Sequence, residues 1–308
     1  MFSQIGIELP QDVTGDGDGA RELAGYIHVA EGLGFTSLWV LDNAGPGVLG
    51  PLPVLAFASA VSERALLGVG VLLSSLQSPL RLARDLATLD RLSAGRLVIG
   101  VGLGGDRQAY QRHGIAVNDR ASHFEAGVVL LRQLLGEEST SWDGPWWKLQ
   151  DQIQPVAPIQ RPTPPLWFGA EKRPALARGV RLGDGWIGAG SATLLEFEGA
   201  LAYVHDLLRE DGRDPETFTV AKRVYVHVGR RTSAVDDELR GWFTRHYGNP
   251  HLVTRVVVGP PDLIQQHLVR LRELGTDVLV LHPILDTVDQ MHRLASEVLP
   301  SVPSAQPR

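Results

Sequence analysis

Eight short apolar runs, separated by segments of helical period, constrain the fold of this 308-residue chain more than any other feature. The runs cover residues 5–9, 37–41, 66–73, 97–101, 166–169, 185–188, 219–228 and 278–282, and each contains β-branched or aromatic residues. Buried strands alternating with helices are the sequence form of repeated βα units around a parallel sheet. Eight such units is the number that closes a (β/α)8 TIM barrel. The helix punctuation agrees. Between the third and fourth runs, Ser78 stands at a capping position, Pro79 suits a first turn, Leu82, Leu86 and Leu89 recur at helical spacing, and Gly95 ends the pattern. Leu23, Ile27 and Ala30 mark the first helix, with Gly34 at its end.

Two interruptions break the rhythm, and both are expected as insertions, after strands four and seven. Residues 137–165, rich in Trp and Pro, read as a hairpin and loop; residues 232–258 form the second insertion. Neither reads as a separate domain, so residues 1–299 are expected to form one barrel domain, with 300–308 a flexible tail.

The composition, 44% hydrophobic and 21% charged, is that of a soluble globular enzyme. A formal charge of -6 without a basic stripe argues against nucleic acid or an anionic membrane as partner. There is no cysteine, which excludes disulfides, thiolate metal sites and cysteine nucleophiles and leaves any redox chemistry to a cofactor. The start MFSQIGIELP lacks a signal-peptide pattern and no apolar stretch reaches the ~20 residues of a membrane span, so the chain reads as cytoplasmic. Only Lys148, Lys172 and Lys222 among the 29 basic residues are lysine, a skew that points to a GC-rich, actinobacterial genome.

In a closed barrel the residues just past each strand gather at the carboxyl rim, where small molecules bind. Those positions hold Asp42 and Asn43, Ser74 and Ser75, Gly102, Gly104, Gly105 and Asp106, Gly169 through Arg173, Gly188, Gly190 and Ser191, and His282. Several motifs invite other readings. Gly100, Gly102 and Gly105 spell G-x-G-x-x-G after a strand, yet βα units precede them and no strand with a terminal acid follows at about 20 residues, against a dinucleotide-binding sheet. None of the ten histidines has H-x-H or H-E-x-x-H spacing, against a metal-dependent hydrolase and for no metal site. Asp42 is either a ligand or a turn cap, and Gly70 marks either a bulge or tight packing. Trp142, Trp146 and Trp147 either pack the inserted hairpin or line a substrate lid, and His282 faces the rim without an assigned role.

The stretch LATLDRLSAGRLVIGVGLGG, residues 86–105, resembles the most characteristic segment of the luciferase-like flavin and deazaflavin oxidoreductases. GFTSLWVLDN, LLGVGVLLSSLQSP, PPLWFGAEKRPALARGVRLGDGWI and GPPDLIQQHLVRLRELGTDVLVL are similar to other parts of that family in the same order, so the resemblance spans nearly the whole chain. It implies a tricyclic ring cofactor at the rim, backed by a third-strand bulge with a cis bond between Gly70 and Val71. It further implies Asp42 at the polar edge of the ring, Gly102 and Gly104 as points of close backbone approach, and the turn Gly169, Ala170, Glu171, Lys172 and Arg173 on the cofactor's phosphate. That last role has separate support: a strand ending in glycine and leading into a helix offers N–H groups to an anion, and Lys172 and Arg173 add charge.

Two departures limit the analogy. The sugar-phosphate and alcohol dehydrogenases of the deazaflavin branch carry a catalytic histidine where this chain has Asn43, and the sugar-phosphate enzymes a glutamate at the position of Gly105. Asn43, which can orient a carbonyl or hydroxyl but not supply a proton, and Asp106, beside the gap, are therefore the catalytic candidates. The resemblance implies an oxidoreductase moving a hydride between coenzyme F420 and a small organic substrate, working as a homodimer. The alternatives are an FMN-dependent monooxygenase on the same fold, or a barrel that binds a flavin or deazaflavin without turnover.

Overall fold

The computed structural model describes residues 4–12, 18–43, 45 and 47–303. Strand and helix alternate through β1 (Ile5–Glu8), α1 (Gly19–Gly32), β2 (Ser37–Val40), α2 (Pro51–Val61), β3 (Leu66–Leu72), α3 (Pro79–Leu92) and β4 (Leu97–Val101). Helices α4 (Arg107–Arg112) and α5 (Arg120–Gly136) then lead into an antiparallel hairpin, β5 (Ser139–Asp143) and β6 (Lys148–Ile153). Alternation resumes with β7 (Leu166–Gly169), α6 (Arg173–Leu182), β8 (Gly185–Gly188), α7 (Leu194–Glu210) and β9 (Thr219–Val228). After α8 (Ser233–Tyr247) come the short β10 (Val257–Gly259), α9 (Pro261–Glu273), β11 (Val278–Pro283) and α10 (Thr287–Arg293).

The strands β1, β2, β3, β4, β7, β8, β9 and β11 pair in parallel in that order, and Ile5 opposite Leu279 closes the ring. The result is an eight-stranded (β/α)8 barrel, and each apolar run of the sequence lands on one stave. The hairpin lies outside the barrel: Trp147 packs on His123 of α5, ring centroids 4.7 Å apart. The long return from hairpin to barrel is fixed by fully buried Asp90 at the end of α3, which accepts hydrogen bonds from the backbone N–H groups of Ile159 and Gln160 at 2.6 and 3.0 Å.

Inward-facing side chains alternate with outward ones along each strand, and two indoles fill the centre. Trp39 and Trp167 stack at 5.4 Å. Glycines on three strands make the room: a Cβ on Gly6 would stand 2.6 Å from Trp39 Nε1, one on Gly68 2.5 Å from Trp39 Cζ3, and one on Gly185 2.7 Å from Trp167 Cδ1. Val98, Ile187, Ala221, Val278 and Val280 complete this plug. It separates a carboxyl-end cavity from an amino-end one. The second insertion packs onto the rim: Leu239, Trp242 and Phe243 of α8 bury against Tyr225, Val253 and Ile284 over the ends of β9 and β11. Among the described residues no helix is long and apolar enough to cross a membrane.

Candidate active site

The rim on the β2, β3 and β4 side is organised by an irregularity in β3. Val69 pairs with Ile99, but Leu72 pairs with Val101, so one extra residue bulges from β3 between them, and the Gly70–Val71 peptide bond within the bulge is cis. Asp42 holds this backbone from the neighbouring strand end. Its N–H donates to Val71 O at 3.3 Å, and its Oδ2 accepts from Leu73 N–H at 2.9 Å. Burial pushes the Asp42 carboxyl pKa up, the Leu73 N–H working against it. The bulged Val71 lies against the glycines of the next two strands: a Cβ on Gly102 would come within 2.6 Å of its Cγ2, and one on Gly169 within 2.5 Å of its Cγ1. Gly104 has φ +69°, and a Cβ there would stand 2.7 Å from Leu73. Asp42, Gly70, Val71, Gly102, Gly104 and Gly169 thus form one continuous patch.

Beyond Gly169 the chain turns into α6. A cavity of about 250 Å³ opens there, its charged and polar lining consisting of Glu171, Lys172, Ser191, Glu196 and Arg255. Trp186 Nε1 donates to Ala170 O at 2.9 Å and Ser191 Oγ to Glu171 Oε1 at 3.0 Å, which fixes the turn. Arg255 is paired with Glu196 at 3.3 Å, Pro174 has no N–H, and the N–H groups of Ala175 and Leu176 both donate to Lys172 O at 2.9 Å, so Lys172 and the Arg173 N–H are the groups of this turn left to meet an anion. Arg173 lies over the Tyr203 ring at 4.9 Å, along α7.

The opposite side of the rim carries buried charge. Glu8 at the end of β1, Arg223 of β9 and His282 of β11 are 3%, 7% and 9% exposed. Arg223 Nη2 donates to the hydroxyls of Tyr225 and Tyr247, at 2.5 and 2.9 Å. Arg223 Nε and His282 Nδ1 approach Glu8 Oε2 only to 3.5 and 3.4 Å, and neither carboxyl oxygen of Glu8 has a hydrogen-bond partner. Burial raises the Glu8 pKa to about 7, with Arg223 pulling the other way. Burial also keeps His282 neutral, and the Arg223 and His246 charges add to that. Burial opposes the Arg223 charge, but the Glu8 carboxylate overrides it, so the guanidinium stays protonated. A cavity of about 50 Å³ lies over this group, bounded by Glu8, Leu41, Asn43, Trp242, His246 and His282. Its outer wall is tied to the β1 loop: His246 Nε2 meets Asp12 Oδ1 at 2.5 Å and stacks on Trp242 at 3.9 Å. The cavity at the amino end is roomier, about 540 Å³. Its described lining holds no buried acid or base.

The sequence profile of the luciferase-like monooxygenases matches residues 2–256. The chain belongs to that family. Among curated relatives, a phthiodiolone/phenolphthiodiolone dimycocerosates ketoreductase of Mycobacterium sp. (strain JLS) is 27% identical over 205 residues, 65% of this chain and 54% of that protein. The chain thus spans about half the length of the ketoreductases it matches. Two solved structures share the fold across nearly the whole chain. One is an F420-dependent secondary alcohol dehydrogenase in complex with an F420–acetone adduct, with TM-score 0.84, 17% identity, and 99% and 100% of the two chains covered. The other is the monooxygenase RslO1 of Streptomyces bottropensis, with TM-score 0.80, 21% identity, and 96% and 99% covered. Family members of this kind are oxidoreductases and monooxygenases.

Within this luciferase-like barrel the two catalytic candidates of the sequence fall differently: Asn43 borders the small cavity over Glu8, and Asp106 does not line it. Asn43 uses both ends of its amide: Nδ2 donates to His246 O at 3.0 Å and Oδ1 accepts from Gly45 N–H at 2.9 Å, tying the β2 loop to α8. Asp106 caps α4 through Gln108 N–H at 2.8 Å and pairs with Arg112 at 2.8 Å, in solvent. The residues sequence reasoning passed over are Glu8, Arg223, Tyr225 and Tyr247. The signal was there for Glu8, an acid in the otherwise apolar IGIEL, two residues from inward-facing Gly6. It lies within the apolar run 5–9 rather than after it, so position past a strand end does not mark it. Arg223 sits inside a ten-residue strand, where only the inward parity shared with Ala221 marks it. Among the described residues no group of His, Asp and Glu is arranged to hold a metal.

Proposed function

We propose that this protein transfers a hydride between coenzyme F420 and a small carbonyl or alcohol substrate seated at the carboxyl rim, with Glu8 carrying the accompanying proton. The observation behind this reading is the buried Glu8 carboxyl, whose two oxygens lack hydrogen bonds and whose pKa is about 7. Reducing a carbonyl consumes a hydride and a proton, and a general acid works best with a pKa near the working pH. The ketoreductase and alcohol dehydrogenase among the relatives support the substrate class.

The residues present fit a ring cofactor with an anionic tail. The patch of Val71, Gly102, Gly104 and Gly169 offers a flat backing without protruding side chains beyond Val71, and Asp42 supplies a carboxyl at its edge. Lys172 and the Arg173 N–H would hold the phosphate, with Glu171 and Glu196 limiting how much negative charge the cavity takes. When bound, a deazaflavin supplies hydride chemistry from its ring carbon. The protein's part is to position. Arg223 keeps Glu8 in place and holds Tyr225 and Tyr247, α8 covers the cavity through Trp242 and His246, and Glu8 gives its proton to the substrate oxygen in reduction or takes it in oxidation.

Titration of the purified protein with coenzyme F420 and with FMN, followed by turnover of reduced F420 with a panel of ketones, tests the proposal. Binding of F420 with consumption of ketone supports it. FMN binding with oxygen uptake would make the protein a flavin monooxygenase, and binding without turnover a carrier.

A further inference from the structure

The anion cavity beside α6 has a cation behind its wall that the proposed function does not use. The loop from β8 to α7, residues 189–193, lines that cavity through Ala189, Ser191 and Ala192. The same loop borders a smaller cavity of about 180 Å³, whose described lining includes Lys222, Arg223, Arg255 and His267 but no carboxylate.

Lys222 points outward from β9, between inward-facing Ala221 and Arg223, and its ammonium group runs under the loop. It donates to Ala189 O and, at 3.1 Å, to Ala192 O. The residue is 2% exposed, with the Phe197 ring 5.6 Å from Nζ, so little water screens the charge. Two carbonyls and a ring offset only part of the cost of burying an ammonium group. Burial therefore lowers the Lys222 pKa to about 7; Arg223 and Arg255 push the same way, while Glu171 and Glu196 oppose them. His267 of α9 stays neutral, its own pKa brought down to about 4 by burial and by the Lys222 charge. Lys172 stands on the far side of the loop, in the anion cavity itself.

We infer that Lys222 is a positioning residue and proton-linked cation of the anion cavity, holding the wall at residues 189–192 and gaining its charge as an anion binds on the other side. This rests on the reading of that cavity as the seat of the cofactor's phosphate. Lysine suits the task where arginine does not, because arginine cannot shed its proton. An anion one loop away favours the ammonium form, so binding raises the Lys222 pKa. By reciprocity the anion is held more tightly when Lys222 is charged, and affinity falls as pH rises through about 7.

The chain has only the lysines Lys148, Lys172 and Lys222, so their 13Cε NMR signals can be followed one by one in the full-length protein, with Lys148→Arg and Lys172→Arg to assign them. Lys222 is expected to titrate at about 7 in the free protein. Saturating sulfate, an anion of constant charge over this range, or saturating coenzyme F420 should move that midpoint up by about half to one pH unit. Lys222→Met fills similar space without charge, and should weaken both ligands about 3- to 10-fold more at pH 6 than at pH 9. Glu8 titrates in the same range but is present in both proteins, so it cancels in the comparison. If Lys222→Met fails to fold, the lysine titration decides. A Lys222 midpoint unmoved by bound sulfate and bound F420, or a Lys222→Met protein whose affinity follows the wild-type pH course, would overturn the proposal and leave the anion site standing. Absence of any sulfate or F420 binding would overturn both.

Discussion

The buried acid at the rim gives the sharpest test, because its protonation should be visible in the rate. Glu8 is raised from an ordinary 4.5 to about 7. At 1.36 kcal/mol per unit, this corresponds to about 3 kcal/mol against the ionised form. An ordinary carboxyl is protonated only about once in 300 molecules at pH 7, whereas Glu8 is protonated in about half. Single-turnover reduction of a ketone should therefore run at constant rate in acid and fall about tenfold per pH unit above about 8. Glu8→Gln keeps the shape and removes the proton, and should lower the rate about 100-fold and flatten the profile. Stability should follow the same group. The folded-state pKa lies above the unfolded one, so stability is full below the ordinary carboxylate range and is lost as pH rises through about 7. Urea midpoints from pH 4 to 9 should show up to about 3 kcal/mol of loss in the wild type and less in Glu8→Gln. A Glu8→Gln protein with undiminished rate and an unchanged pH profile would refute the assignment.

Gly102→Ala places a Cβ 2.6 Å from Val71 Cγ2 and should cost about 1–3 kcal/mol in thermal or urea unfolding, recovered in large part by adding Val71→Ala. Asp42→Ala removes the acceptor of Leu73 N–H and should destabilise by about 1–3 kcal/mol in denaturant titration while loosening the β3 bulge, read as weaker F420 binding. Lys172→Ala should weaken F420 about tenfold at low salt, with a smaller salt dependence than wild type; an unchanged salt slope would remove Lys172 from the phosphate site. Asn43→Ala cuts the tie between the β2 loop and His246 O, and should raise KM more than it lowers kcat, as measured by steady-state turnover of reduced F420 with ketone.

Local sequence determined the staves and their order. Runs such as LVIGV and LWFG have no polar face to give to solvent, so they belong in a sheet buried on both sides, and eight of them with helices between leave few topologies besides a closed ring. The inserted hairpin and the glycines after strands four and five were legible for the same reason, since turn chemistry is local. The tertiary structure decided which residues meet. That Gly102 and Gly169 yield to Val71, that Asn43 spends its amide on a residue 203 positions away, and that Glu8, Arg223 and His282 converge all depend on closure across strands distant in sequence. The pKa of Glu8 depends on closure too, because burial of a charge is a property of the assembled interior rather than of IGIE.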